Sequence, residues 1–252
     1  MCIRDSDAIE GNTRSLVSTP VVLAVSPELN SSLAGRLDWS QIPTLQRRDN
    51  SLADFGLQGW GSLRMAMPIG AQSDASALAA QAVATRVTRT TGPLTTADAE
   101  SPRVSSSVRA MLEGAPLSPD GTPQGAATAI ADAPDAARAE IHVVPITEQR
   151  LFQMTREDDR ARLAELIPSG PTPIADYPVI RMSGPEVSES AADAVAEFIQ
   201  FASEPEQLQL LTELGFRGDA PMPSPTPTVT FPRTPDPMPT PENGAIVAIN
   251  RL

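Results

Sequence analysis

The chain has 252 residues, a net charge of −12, 26 prolines and an aromatic fraction of 4%, enough for one large domain or two small ones plus loop or linker. Its acidity argues against nucleic acid or an anionic membrane face as a partner, since both are bound through basic surface. All 19 basic residues are Arg, which removes lysine Schiff-base chemistry and the Lys-dependent phosphate loop, and no apolar run approaches the roughly 18 residues of a membrane-spanning helix.

The first six residues, "MCIRDS", resemble the translation of a transposon-end sequencing adapter of the kind met in metagenomic assemblies. They are expected to be a scar and are set aside from the fold. Cys2 is the only cysteine and lies inside it, so no disulfide, thiol nucleophile or cysteine metal site is argued. The native N-terminus is then expected to lie upstream.

"TPVVLAVSP", Thr19 to Pro27, is a short β-branched run between two prolines, the pattern of a strand buried on both faces, with the prolines marking its ends. In the segment that follows, Trp39 and Ile42 are expected to anchor one helical turn. Leu63, Met65 and Met67 alternate with Arg64 and Ala66 as a strand does, and Pro68 and Gly70 break it. From Ser76 small and apolar residues recur at helical spacing, with Ser73 or Asp74 able to cap the helix. Such a strand–turn–helix offers backbone N–H groups at a positive helix end, a ready place for an anion or carboxylate. The plainer reading is that Gln72, Ser73, Asp74 and Ser76 only cap.

Residues 88–135 are rich in Thr, Ser, Gly, Pro and Ala, with one short helix expected around "SSSVRAMLEG" and Gly114 ending it. "AEIHVVPI" supplies a strand, Ile141 to Ile146. The single histidine, His142, is read as a surface or satisfied residue rather than a ligand or base. Glu157, Asp158 and Asp159, followed by Arg160 and Arg162, suggest a solvated helix that complements its dipole. Tyr177 to Met182 reads as a strand. Then Ala191, Val195, Phe198, Ile199 and Ala202 form an apolar stripe. A second helix is expected from Ser203, with a Ser203–Glu206 capping box, inward Leu208, Leu211 and Leu214, and a stop at Gly215. Past Asp219, proline at nearly every second or third position favours an extended spacer.

The closing segment, with "YPV" at Tyr177 to Val179, "FIQFASEPEQ" at Phe198 to Gln207 and "GFR" at Gly215 to Arg217, resembles the end of type 2 periplasmic solute-binding proteins, near the molybdate-binding group. "STPVVLAVSP" resembles their hinge strand, and "LRMAMPIGAQSDASALAAQAV" their second-lobe strand and ligand-facing helix start. The resemblance implies an α/β, two-lobed type 2 periplasmic-binding-protein fold, N-terminally truncated. It places a partial first lobe at 7–26 and 175–218, a second lobe at 27–174, and a Pro-rich linker at 219–252 leading to a missing domain. It implies a small-molecule or anion ligand in an interlobe cleft, contacted by Gln72, Ser73, Asp74 and Ser76, with Asp74 opposing an oxyanion. No cofactor and no catalysis are implied, and the partner is a membrane transporter or envelope protein outside the cell. The Pro-rich tail resembles actinobacterial envelope proteins that pair such a domain with a von Willebrand factor A domain, which leaves a ligand-free interaction module as the alternative. If central strands of the first lobe are gone, the helices over 188–214 are expected to expose apolar surface.

Overall fold

The computed structural model describes residues 9–70, 73–157, 162–182, 187–233 and 236–252. Two compact units emerge: unit 1 takes residues 1–19 and 176–223, and unit 2 takes 20–175 and 224–252.

The spine of unit 2 is the C-terminal part of β1 (Ile9–Val25). It pairs antiparallel with β2 (Val143–Thr147), Leu23 opposite Pro145, and with β3 (Ala164–Leu166), Leu23 opposite Leu166. Val21 to Val25 are fully buried, as a β-branched run without polar alternation demands. Leu23 and Val25 join one apolar cluster, and Val22 and Ala24 join a second, because successive side chains of a strand point to opposite faces. The first cluster draws on α1 (Pro27–Leu33), α2 (Ile42–Arg47), α3 (Asp74–Thr88) and α5 (Pro102–Glu113). The second draws on α6 (Pro123–Asp132) and α7 (Glu148–Thr155). A sheet is thus covered by helices on both faces, the α/β arrangement. β4 (Ile174–Met182) also pairs with β1.

Trp39 and Ile42 are fully buried, in a 3₁₀ turn (Trp39–Gln41) and at the start of α2. Asp38 caps that turn, accepting from Ser40 N at 2.9 Å, while Arg86 of α3 donates to it from Nη2 at 2.6 Å. Burial pushes the Asp38 carboxyl up, but the hydrogen bonds from Arg86 and Ser40 outweigh it and hold the carboxyl below its ordinary value. Asp38→Ala removes cap and partner together. It should cost about 1–2 kcal/mol in urea unfolding, and Asp38→Asn, which keeps a capping oxygen, should cost less.

Several local expectations are corrected. Pro20 does not end the strand; β1 runs through it, and the division between units falls there. Leu63, Met65, Ala66 and Met67 are buried, with Arg64 half-buried, but the stretch makes a single bridge, Met65 to Val143. In the Ser/Thr-rich stretch, α4 (Thr96–Glu100) and α6 join the expected helix α5. Both begin at side-chain caps, Thr95 and Thr122, so residues read as loop composition are helix starts. No helix follows the 157–162 charges; α7 ends at Thr155, Asp158 to Arg160 lie outside the described residues, and Arg162 pairs with Asp132 at 2.6 Å.

The tail departs most from expectation. Residues 224–252 do not leave as a spacer but strap back over unit 2. Glu165 N donates to Thr228 O at 3.3 Å, Met238 N to Thr172 O at 2.8 Å, and Glu242 N to Leu94 O at 3.0 Å. Val229 is fully buried, and Phe231 meets Phe152 edge-on at 5.0 Å. The tail ends in α10 (Asn243–Ile249), which packs on α4 and buries Ala245 and Ile249. Glu242 Oε2 accepts from Thr96 N at 2.8 Å. Proline forbids helix over most of this stretch, but an extended chain with free carbonyls can still bond to other segments.

Unit 1 holds the N-terminal part of β1, most of β4, and the helices α8 (Glu189–Ala202) and α9 (Pro205–Glu213). Ser18 and Arg217 exchange backbone hydrogen bonds at 2.8 Å, and Tyr177 meets Phe216 edge-on at 5.4 Å. Ser203 closes α8 instead of boxing α9, whose N-cap is Glu204 without a side-chain bond. Gly215 ends the pair at φ 93°, a left-handed conformation that glycine adopts without strain. The apolar stripe is uncovered: α8 has no buried residue, α9 buries only Thr212, and Phe198 is 66% exposed. Exposed apolar surface over 188–214 is therefore present.

Candidate functional site: a cavity at the start of α3

α3 is buried almost all round, with Ala79, Ala82 and Val83 among its core residues, so its axis is fixed and its first turn is held in place. Ser73 occupies the N-cap position but does not cap with its side chain. Its hydroxyl instead donates to Gly70 O at 2.6 Å. Asp74 follows in the first turn, exposed, and Ser76 is only 3% exposed, its Oγ without a hydrogen-bond partner among the described residues.

These three residues line one cavity of about 780 Å³, within the roughly 300–1,000 Å³ of small-molecule sites. Ala77 and Ala80 of α3 and Val108 and Leu112 of α5 form two walls. Met67, Pro68 and Ile69 lead in from one side and Ala115 to Ser118 from the other. The last wall, Ile249, Asn250 and Leu252, comes from the strapped tail. Gln72 lies outside the described residues. The Pro-rich composition of the tail gives no sign of Ile249 and Asn250 at this cavity; the local signal is the apolar "AIVAI" after so many prolines.

A second cavity, about 490 Å³, is lined by Arg36 and Arg48, the charges an anion would need. Both guanidinium groups are already engaged. Arg36 donates to Asp54 O at 3.2 Å and stacks on Phe55 at 4.8 Å, while Arg48 pairs with the Asp54 carboxylate.

His142 is buried, not on the surface. Its ring lies 5.4 Å from that of Trp60, and its Nε2 faces Arg64 Nη2. Arg64 donates from Nε to Ala139 O at 2.7 Å and from Nη2 to Ala137 O at 2.8 Å. Burial, then the Arg64 charge, push the imidazole down to about 4, with the Ala137 carbonyl opposing. A neutral ring is the form that can accept from a guanidinium. Among the described residues no group of three or more His, Cys, Asp or Glu is placed to hold a metal ion, and no helix is long and apolar enough to cross a membrane.

No family model matches the sequence. The ferric binding protein from Campylobacter jejuni superposes with a TM-score of 0.59 at 13% identity, over 100% of this chain and 73% of that one. This is the two-lobed fold of periplasmic binding proteins. A Bordetella ferric binding protein (TM-score 0.53, 10% identity, 100% and 71% of the two chains) and apo FutA2 from Synechocystis (0.52, 11%, 89% and 67%) share it. By sequence, the chain is 36% identical over 226 residues to uncharacterized proteins of two Mycobacterium tuberculosis strains, CDC 1551 and H37Rv, over 89% of its own length. It spans about a third, 32%, of the length of those relatives.

Proposed function

We propose that the chain is the ligand-binding part of a non-catalytic binding protein of the cell envelope, outside the membrane, and that it takes a small ligand into the cavity at the start of α3. The observation that carries this reading is the meeting of Ser73, Asp74 and Ser76 at one cavity of ligand size within a periplasmic-binding fold. A membrane transporter or an envelope protein is the matching partner. The Campylobacter and Bordetella neighbours are named for ferric ion. Iron is not carried over to this chain, because among its described lining residues the cavity brings one side-chain carboxylate, Asp74, and no phenol or imidazole. Thermal-shift screening against metal ions, oxyanions, amino acids, sugars and amphiphiles tests it. A ligand at a hundred times its dissociation constant should add about 2.7 kcal/mol of stability.

A second reading has an observation of its own. The uncovered face of α8 and α9, with Phe198, Phe201 and Leu210 exposed, suits an interaction module in an envelope protein that also carries a von Willebrand factor A domain. Absence of a shift with every ligand class, together with association lost on Phe198→Ser, would favour it.

A further inference from the structure

We infer that the α3 cavity selects an uncharged or cationic amphiphile, its alkyl chain lying between α3, α5 and α10; this rests on the binding-protein reading above. The walls are apolar on three sides, with Ala77 and Ala80, Val108 and Leu112, and Ile249 and Leu252 facing the space. Among the described residues no Arg, His or aromatic residue lines it. An oxyanion would therefore find no cation, and a sugar ring no aromatic platform. Polar groups gather around the first turn of α3, where Ser73, Asp74 and the buried, unpartnered Ser76 hydroxyl stand, with Ser118 and Asn250 as further polar lining. Asp74 is the only ionisable side chain among the described lining residues. In a chain of net charge −12 it disfavours an anionic head and favours a neutral or positive one.

The rim supplies an independent observation. Ile69 is 84% exposed and Leu117 92% exposed, and both line the cavity from different segments. Large aliphatic side chains held in water beside an apolar cavity mark a surface that something apolar covers. A ligand chain entering between them would remove both from solvent. The α10 wall makes the tail part of the site: Ile249 is buried in the core cluster and also lines the space, so the strap must be docked for the cavity to exist.

The test is calorimetric titration of the full chain with 1-monoacylglycerols from hexanoyl to tetradecanoyl, kept below their aggregation concentrations, with alkyltrimethylammonium salts and fatty-acid anions of matched length alongside. Affinity should rise by about fourfold per methylene until the cavity is filled, and the anions should bind more weakly than both other series. Ile69→Ser combined with Leu117→Ser changes two exposed residues, leaves the fold intact, and should weaken binding by about tenfold or more. Ala77→Phe narrows the cavity and should shorten the longest chain accepted. Binding of ferric ion, phosphate or an oligosaccharide that Ala77→Phe abolishes would overturn the amphiphile inference and leave the binding-protein reading standing. Amphiphile binding that neither variant changes would place it elsewhere, on the α8–α9 face, and also overturn the inference. Failure of every class to bind would remove both.

Discussion

Deleting residues 224–252 should lower the stability of unit 2 by about 3–6 kcal/mol, the burial value of one Val and one Ile side chain, with Ala245 adding to it. Val229 and Ala245 are fully buried and Ile249 nearly so; without the tail, the faces they cover return to water. This area-based figure is an upper value, because an unfolded chain already hides part of its apolar surface. Urea denaturation followed by tryptophan fluorescence reads the effect cleanly, since both tryptophans, Trp39 and Trp60, lie in unit 2. Two point variants separate packing from chain length. Ile249→Ala should cost about 2–5 kcal/mol. Gly244→Ala should also destabilise, because a Cβ there would run into the Thr96 side chain, where α10 and α4 meet. An unchanged midpoint on deletion would return the tail to the status of a spacer.

Stability should also fall by about 3 kcal/mol between pH 7 and pH 4 through His142 alone. Its folded-state value of about 4 lies below the ordinary 6.5, so between those limits the unfolded chain holds more protons. The contribution is complete above pH 6.5 and is lost as pH falls toward 4. The cause is geometric. Protonation would put a second cation against Arg64, which is fixed by its bonds to the Ala137 and Ala139 carbonyls, and would charge a ring buried beneath Trp60. Denaturation midpoints measured across pH 4–7 for the natural chain and for His142→Gln should differ in slope, the variant losing this part of the acid sensitivity. Equal slopes would mean that the imidazole is no less basic folded than unfolded.

The sequence and the three-dimensional structure divide the protein between them along physical lines. Where a segment's own composition settles its environment, the sequence was sufficient: Val21 to Val25 had to be buried on both faces, and Gly215 had to end α9. The first turn of α3 was legible for the same reason, since Pro68 and Gly70 break the extended run and small apolar residues at helical spacing follow. Its cavity was not, because two of its walls come from α5 and α10, nearly forty and more than a hundred and seventy residues further on.

The misreadings share one origin. Periodicity says which face of a segment is apolar but not what covers it. The α8 stripe is apolar, yet Phe198 lies in solvent, while Val229, set among prolines, and Ile249, in the helix beyond them, lie in the core. His142 likewise depends on Trp60 and Arg64, which reach it from another stretch of chain. Local sequence by itself determined the buried part of β1, most of β2 and β4, most of the longer helices and the candidate turn, because backbone sterics and side-chain spacing act within a few residues. Only tertiary structure decided that the tail is a strap and a wall of the α3 cavity, because backbone hydrogen bonds and apolar burial join partners that sequence leaves far apart.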